Sequence, residues 1–202
     1  MFDFEAAFAT TRVMAILRGL GPARSLAVAQ RCWAAGVTML EIPIQHPADV
    51  EALTAVAAAA AERGLVVGAG TVLRAEQVEQ ARDAGAAYTV SPGTDEEVIR
   101  VSLAAGLPTL PGVATASEIQ RCLRHDVRWL KAFPAGNLGP EWIRAMLGPF
   151  PQARFVATGG VTVHSAPSFL AAGARAVALG SALTGDNLPD AALVELLRET
   201  RP

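Results

Sequence analysis

Short runs rich in Val, Ile and Leu alternate along this chain with longer, alanine-rich amphipathic segments, and the alternation repeats eight times at a spacing of about 20 to 25 residues. Near-continuous apolar strands separated by helix-length crossovers belong to parallel sheets covered by helices, because both faces of such strands must be buried. Strands are expected at about 13–18, 38–44, 65–71, 87–91, 108–112, 129–133, 154–158 and 176–180. Helices are expected to begin near Ala23, Pro47, Arg74, Thr94, Thr115, Pro140, Ser165 and Pro189. Thr94 with Glu97 and Thr115 with Glu118 have the spacing of capping boxes, and Pro140 suits a first helical turn. Eight such units close most naturally into a (β/α)8 TIM barrel, an α/β fold, with an extra N-terminal helix over 3–11 plugging its floor. The alternative, an open doubly wound sheet, would show a glycine-rich dinucleotide loop after an early strand, and Arg18-Gly19-Leu20-Gly21 opens none. A chain of 202 residues without linkers or low-complexity tracts is read as one barrel domain over residues 1–202.

Charge and composition narrow the function classes. The net charge is −2 and the arginines are scattered, so no nucleic-acid footprint is present, while a small anionic substrate stays possible. No window approaches the roughly 20 apolar residues of a membrane span. The segment Met1-Phe2-Asp3-Phe4-Glu5 does not resemble a secretory signal, and Cys32 and Cys122, without metal-type spacing, are expected as buried, reduced thiols of a cytoplasmic protein. The three histidines, His46, His125 and His164, lack close second ligands, so no metal and no cofactor is expected.

Against this background one residue stands apart. Lys131 is the only lysine among 17 lysines and arginines, and it sits in the apolar run Trp129-Leu130-Lys131-Ala132-Phe133-Pro134. Arginine cannot lose its proton in a protein, whereas lysine in a desolvated setting can, so the position suits amine chemistry. The competing reading is a lysine that snorkels to water or pairs with a carboxylate for structural reasons. Glu41 lies in a similar run, Met39-Leu40-Glu41-Ile42-Pro43-Ile44, where an unpartnered anion would cost several kcal/mol. Both residues lie toward the carboxyl ends of their strands, where such barrels place their chemistry. Lys131 is the candidate nucleophile and Glu41 its candidate proton carrier, with a buried structural ion pair as the alternative. Gly159-Gly160 after the seventh strand and Gly180-Ser181 after the eighth occupy the place where barrels bind phosphate through backbone N–H groups, with two tight turns that use glycine for geometry alone as the alternative. A phosphorylated carbonyl compound is therefore the expected substrate.

With these residues in place, the chain resembles the 2-keto-3-deoxy-6-phosphogluconate (KDPG) and 4-hydroxy-2-oxoglutarate aldolase family over about residues 10 to 185. The segments that carry the likeness are Ala15-Ile16-Leu17-Arg18-Gly19, Leu40-Glu41-Ile42-Pro43, Val67-Gly68-Ala69-Gly70-Thr71-Val72-Leu73, Ser91-Pro92-Gly93, Pro111-Gly112-Val113-Ala114-Thr115, Leu130-Lys131-Ala132-Phe133-Pro134 and Thr158-Gly159-Gly160-Val161. The resemblance implies a class I aldolase in which Lys131 forms a Schiff base and Glu41 shuttles protons. It further implies that Arg18 and Thr71 hold the pyruvyl carboxylate, that Pro92, Phe133 and Thr158 shape the pocket, and that the glycine turns with Ser181 hold the phosphate. The family is typically trimeric, which makes a homotrimer the expected assembly. Gluconate-type members commonly carry an arginine four residues after the glutamate, where this chain has Gln45, while Arg18 is a feature of relatives resembling the 6-phosphogalactonate aldolases. Thr158 is a gluconate-type feature, so both C4 epimers stay open. A more distant alternative is a phosphate-binding barrel isomerase or epimerase using Glu41 as base, and a barrel that only binds or assembles is a third.

Overall fold

The computed structural model describes residues 2–180, Leu183 and residues 191–200. Its strands are β1 (Val13–Ile16), β2 (Met39–Pro43), β3 (Val67–Gly70), β4 (Tyr88–Val90), β5 (Thr109–Leu110), β6 (Gly112–Val113), β7 (Trp129–Ala132), β8 (Arg154–Thr158) and β9 (Ala176–Leu179). All pairings are parallel, in the order β5-β4-β3-β2-β1-β9-β8-β7-β6. The two ends of this order, β5 and β6, are the halves of one extended stretch broken at Pro111, so the sheet curls into a barrel of eight staves. Proline has no N–H to give a neighbour, yet its carbonyl still accepts the Lys131 N–H at 2.8 Å, so the break costs pairing on one side only. The expected barrel is therefore found, and the open-sheet alternative is set aside.

Helices α1 (Phe4–Phe8), α2 (Gly21–Ala34), α3 (Pro47–Ala61), α4 (Ala75–Asp83), α5 (Glu96–Ala104), α6 (Ala116–Arg124), α7 (Ala135–Leu138), α8 (Pro140–Leu147), α9 (Ala166–Ala171) and α10 (Ala191–Glu199) fill the connections. The expected start near Pro189 lies outside the described residues. Helix α7 was not expected, since four residues are too few to show a helical period. The capping box read at Thr94 is shifted by one. Asp95 is the N-cap of α5, its carboxylate accepting the Val98 N–H at 2.9 Å, because the Thr94 hydroxyl is engaged elsewhere, donating to the Gly112 carbonyl at 2.8 Å. Thr115 caps α6 as expected, with the Glu118 carboxylate reaching back to the Ala114 N–H at 2.9 Å.

Alternation along the strands sorts side chains onto two faces. Val13, Ala15, Leu40, Ile42, Val67 and Ala69 point outward and are buried beneath the helices. Met14, Met39, Tyr88, Leu110 and Val156 point inward and fill the lower barrel. Phe4 and Phe8 of α1 join that inner cluster, with ring centroids 5.2 Å from Tyr88 and 5.0 Å from Trp129 respectively, so the N-terminal helix closes the floor. Two residues further along β2, β7 and β8 lie Glu41, Lys131 and Thr158, which the same parity turns inward at the opposite end. Among the described residues, no helix is long and apolar enough to cross a membrane.

Candidate active site

Lys131 and Glu41 meet inside the upper barrel, with Nζ 3.8 Å from Oε1, and their side chains are 2% and 0% exposed. The separation makes an ion pair without a direct hydrogen bond. Neither Glu41 oxygen has a hydrogen-bond partner among the described residues. The Lys131 nitrogen lies beside a carboxylate whose lone pairs are not used by hydrogen bonds from the described residues, an arrangement that contributes little to stability.

Room for this carboxylate is created by glycine. A β-carbon on Gly70 would lie 1.9 Å from Glu41 Oε1, and one on Gly68 would lie 2.0 Å from the Tyr88 ring. Both glycines occupy inward positions of β3, which explains the Val67-Gly68-Ala69-Gly70 alternation. Tyr88 fills the space below, donating its hydroxyl to the Leu40 carbonyl at 2.6 Å. Burial, and then the charge of Glu41, push the Tyr88 phenol well above its ordinary range, so it stays neutral beneath the site.

A cavity of about 410 Å³ opens above the lysine, and Arg18, Lys131, Phe133, Thr158, Gly159, Gly160 and Gly180 all contribute to its wall. The Phe133 ring centroid lies 5.0 Å from Nζ, within cation–π range. That ring also rests against the turn after β8, where a β-carbon on Gly159 would approach it to 2.7 Å. Gly159 and Gly160 have φ of 84° and 74°, and the Gly136 N–H of α7 donates to the Gly159 carbonyl at 2.8 Å, bracing the turn. Arg18 donates from Nη1 to the carboxamide oxygen of Gln45.

The remaining sequence candidates fall elsewhere. Thr71 follows β3 in the left-handed region with φ of 56°, a strained conformation for a β-branched residue, and Pro92 follows β4 with its carbonyl packed on Gly112. Both sit at the carboxyl end of the barrel but outside the wall of this cavity. Ser181 lies outside the described residues. The wall also includes Ile16, Val161, Thr162 and Ala178, which the sequence reading did not single out. For Thr162 a signal existed: its spacing to Ser165 allows the reciprocal bonds observed, Thr162 N–H to Ser165 Oγ at 2.9 Å and Ser165 N–H to Thr162 Oγ1 at 3.1 Å.

His125 pairs with Glu96 at 3.3 Å on the outer surface, and His46 and His164 are exposed. Among the described residues no group of three His, Cys, Asp or Glu side chains is placed to hold a metal ion. Cys32 and Cys122 are buried free thiols, each pushed up to about 11 by burial. What the arrangement offers is an enclosed amine beside a carboxylate, with a guanidinium and glycine turns at the rim.

Comparison with known proteins agrees with this geometry. The family model described as KDPG and KHG aldolase matches residues 4–195. The 2-dehydro-3-deoxy-phosphogluconate aldolase of Pseudomonas aeruginosa is 42% identical over 148 residues, spanning 72% of this chain and 66% of that protein's length. A probable 2-dehydro-3-deoxy-6-phosphogalactonate aldolase of Rhizobium meliloti is 38% identical over 173 residues, spanning 85% of this chain and 81% of that protein. Among solved structures, KDPG aldolase from Legionella pneumophila, with pyruvate captured at low pH as a covalent carbinolamine intermediate, superposes with a TM-score of 0.85 at 27% identity, covering 98% of each chain. With a family match over nearly its full length and a barrel that superposes end to end, the chain belongs to the KDPG and KHG aldolase family.

Proposed function

We propose that this chain is a class I aldolase that cleaves 2-keto-3-deoxy-6-phosphogluconate to pyruvate and glyceraldehyde 3-phosphate, with 4-hydroxy-2-oxoglutarate as an additional substrate. The observation that carries the reading is Lys131, a buried amine in the wall of a cavity rimmed by glycine turns, with the Glu41 carboxylate enclosed behind it 3.8 Å from Nζ. Nζ gives up a proton to solvent and, as the neutral amine, attacks the C2 carbonyl to give a carbinolamine; a solvent proton returned to the carbinolamine hydroxyl lets it leave as water, which gives the cationic iminium. Glu41 accepts the C4 hydroxyl proton as the C3–C4 bond breaks. The bonding electrons flow into the iminium and leave an enamine of pyruvate, while C4 departs as the aldehyde. The enamine takes a proton back at C3 from Glu41, and water hydrolyses the iminium to release pyruvate and the protonated amine, which sheds that proton to solvent before the next turnover. Arg18 holds the substrate carboxylate, joined by Thr71 from the end of β3 outside the cavity wall; Phe133 and Thr158 shape the pocket, with Pro92 at the same end of the barrel but beyond that wall; and the backbone of Gly159, Gly160 and Gly180 with Ser181 receives the phosphate. The enzyme works as a homotrimer in the cytoplasm, a setting that suits two buried free thiols.

The covalent carbinolamine in the Legionella pneumophila relative and the gluconate-type name of the Pseudomonas aeruginosa relative support this assignment. A galactonate-type substrate is the second reading, favoured by the Arg18–Gln45 contact and by the Rhizobium meliloti relative. Incubation with pyruvate and borohydride, followed by peptide mass spectrometry, should place a reduced adduct on Lys131. An unmodified lysine would instead favour an isomerase or epimerase that uses Glu41 as a base. Comparing cleavage rates of the two phosphorylated C4 epimers then separates the gluconate from the galactonate reading.

A further inference from the structure

Resting on the aldolase reading above, we infer that Gln45 is a positioning residue that holds the Arg18 guanidinium at the cavity wall while leaving its charge free for a substrate carboxylate. Arginine presents only donors, so its contact with Gln45 requires the carboxamide oxygen and orients that amide. Gln45 is itself anchored. Its backbone N–H donates to Asp49 Oδ2 at 3.1 Å, and the next N–H, of His46, donates to the same oxygen at 2.9 Å. Asp49 is buried in the first turn of α3, so the turn after β2 is tied to the helix that follows it. A chain of contacts therefore runs from a buried carboxylate, through two backbone amides, to the side chain that seats Arg18 on the neighbouring strand's exit. Arg18 and Gln45 are both solvent-exposed, Arg18 lines the cavity, and no ion pair joins it to another of the described residues, so the contact with a neutral amide leaves the charge of the guanidinium unneutralised. A glutamate at 45 would accept the same hydrogen bond but pair with the guanidinium, setting an internal carboxylate against the substrate's own.

Trapping the Lys131 adduct with borohydride over a range of pyruvate concentrations tests this, with hydroxyacetone, a ketone without a carboxylate, as the control. Gln45→Ala should raise the half-saturating pyruvate concentration about tenfold and change kcat for cleavage by less than about threefold. Gln45→Glu should raise it about a hundredfold. Neither variant should alter hydroxyacetone trapping. Unchanged pyruvate saturation in both variants, or an equal rise for hydroxyacetone, would overturn the inference while leaving the aldolase reading in place. Failure of the unsubstituted protein to form any adduct would overturn both.

Discussion

A lysine and a glutamate lie 3.8 Å apart with almost no exposed surface, and neither Glu41 oxygen has a hydrogen-bond partner among the described residues. A structural ion pair would be expected to satisfy more of those lone pairs, since breaking or half-satisfying a buried pair is costly. The chemical roles proposed for the two residues predict separable defects. Lys131→Arg keeps the charge but offers no amine that can form an imine, so cleavage should fall by at least about 10³-fold and no borohydride adduct should appear. Glu41→Gln keeps the shape and removes the base, so the adduct should still form while turnover falls by about 10²-fold, as read by pyruvate release in single-turnover and steady-state assays. Turnover unaffected by the glutamine would remove Glu41 from the mechanism.

At the level of elements, β3 does its work by what it lacks. Its inward positions are Gly68 and Gly70, and side chains from β4 and β2, Tyr88 and Glu41, occupy the space those glycines leave open. Gly70→Ala should therefore push the Glu41 carboxylate away from Lys131, lowering kcat by at least about tenfold with an unchanged far-ultraviolet circular dichroism spectrum, because the methyl group has space only where the carboxylate now sits. Wild-type kcat in that variant would show that the carboxylate position is not critical. The turn after β8 follows the same principle, with Gly159 making way for the Phe133 ring and Gly160 lying against α7.

The whole molecule divides its tasks between the two ends of the barrel. The candidate site residues gather where strands exit toward helices, and at the other end Phe4 and Phe8 of α1 seal the interior against Tyr88 and Trp129. Phe4→Ala should lower the free energy of unfolding by about 3 kcal/mol in urea titrations while leaving KM within about twofold, since the lost ring lies at the floor and not at the mouth. A large change in KM with little loss of stability would mean that the floor and mouth are mechanically coupled. Periodicity and residue type are local properties, which is why the eightfold alternation, the closing barrel, the floor helix and the oddity of a single lysine in an apolar strand were all legible in the chain. Proximity is not local. That Lys131 meets Glu41, that Arg18 is seated by Gln45 at 27 residues' remove, that Thr71 adopts a left-handed backbone, and that the cavity wall takes in Thr162 but passes over Pro92 follow from how the staves tilt and close, and the barrel's tertiary geometry alone decides them.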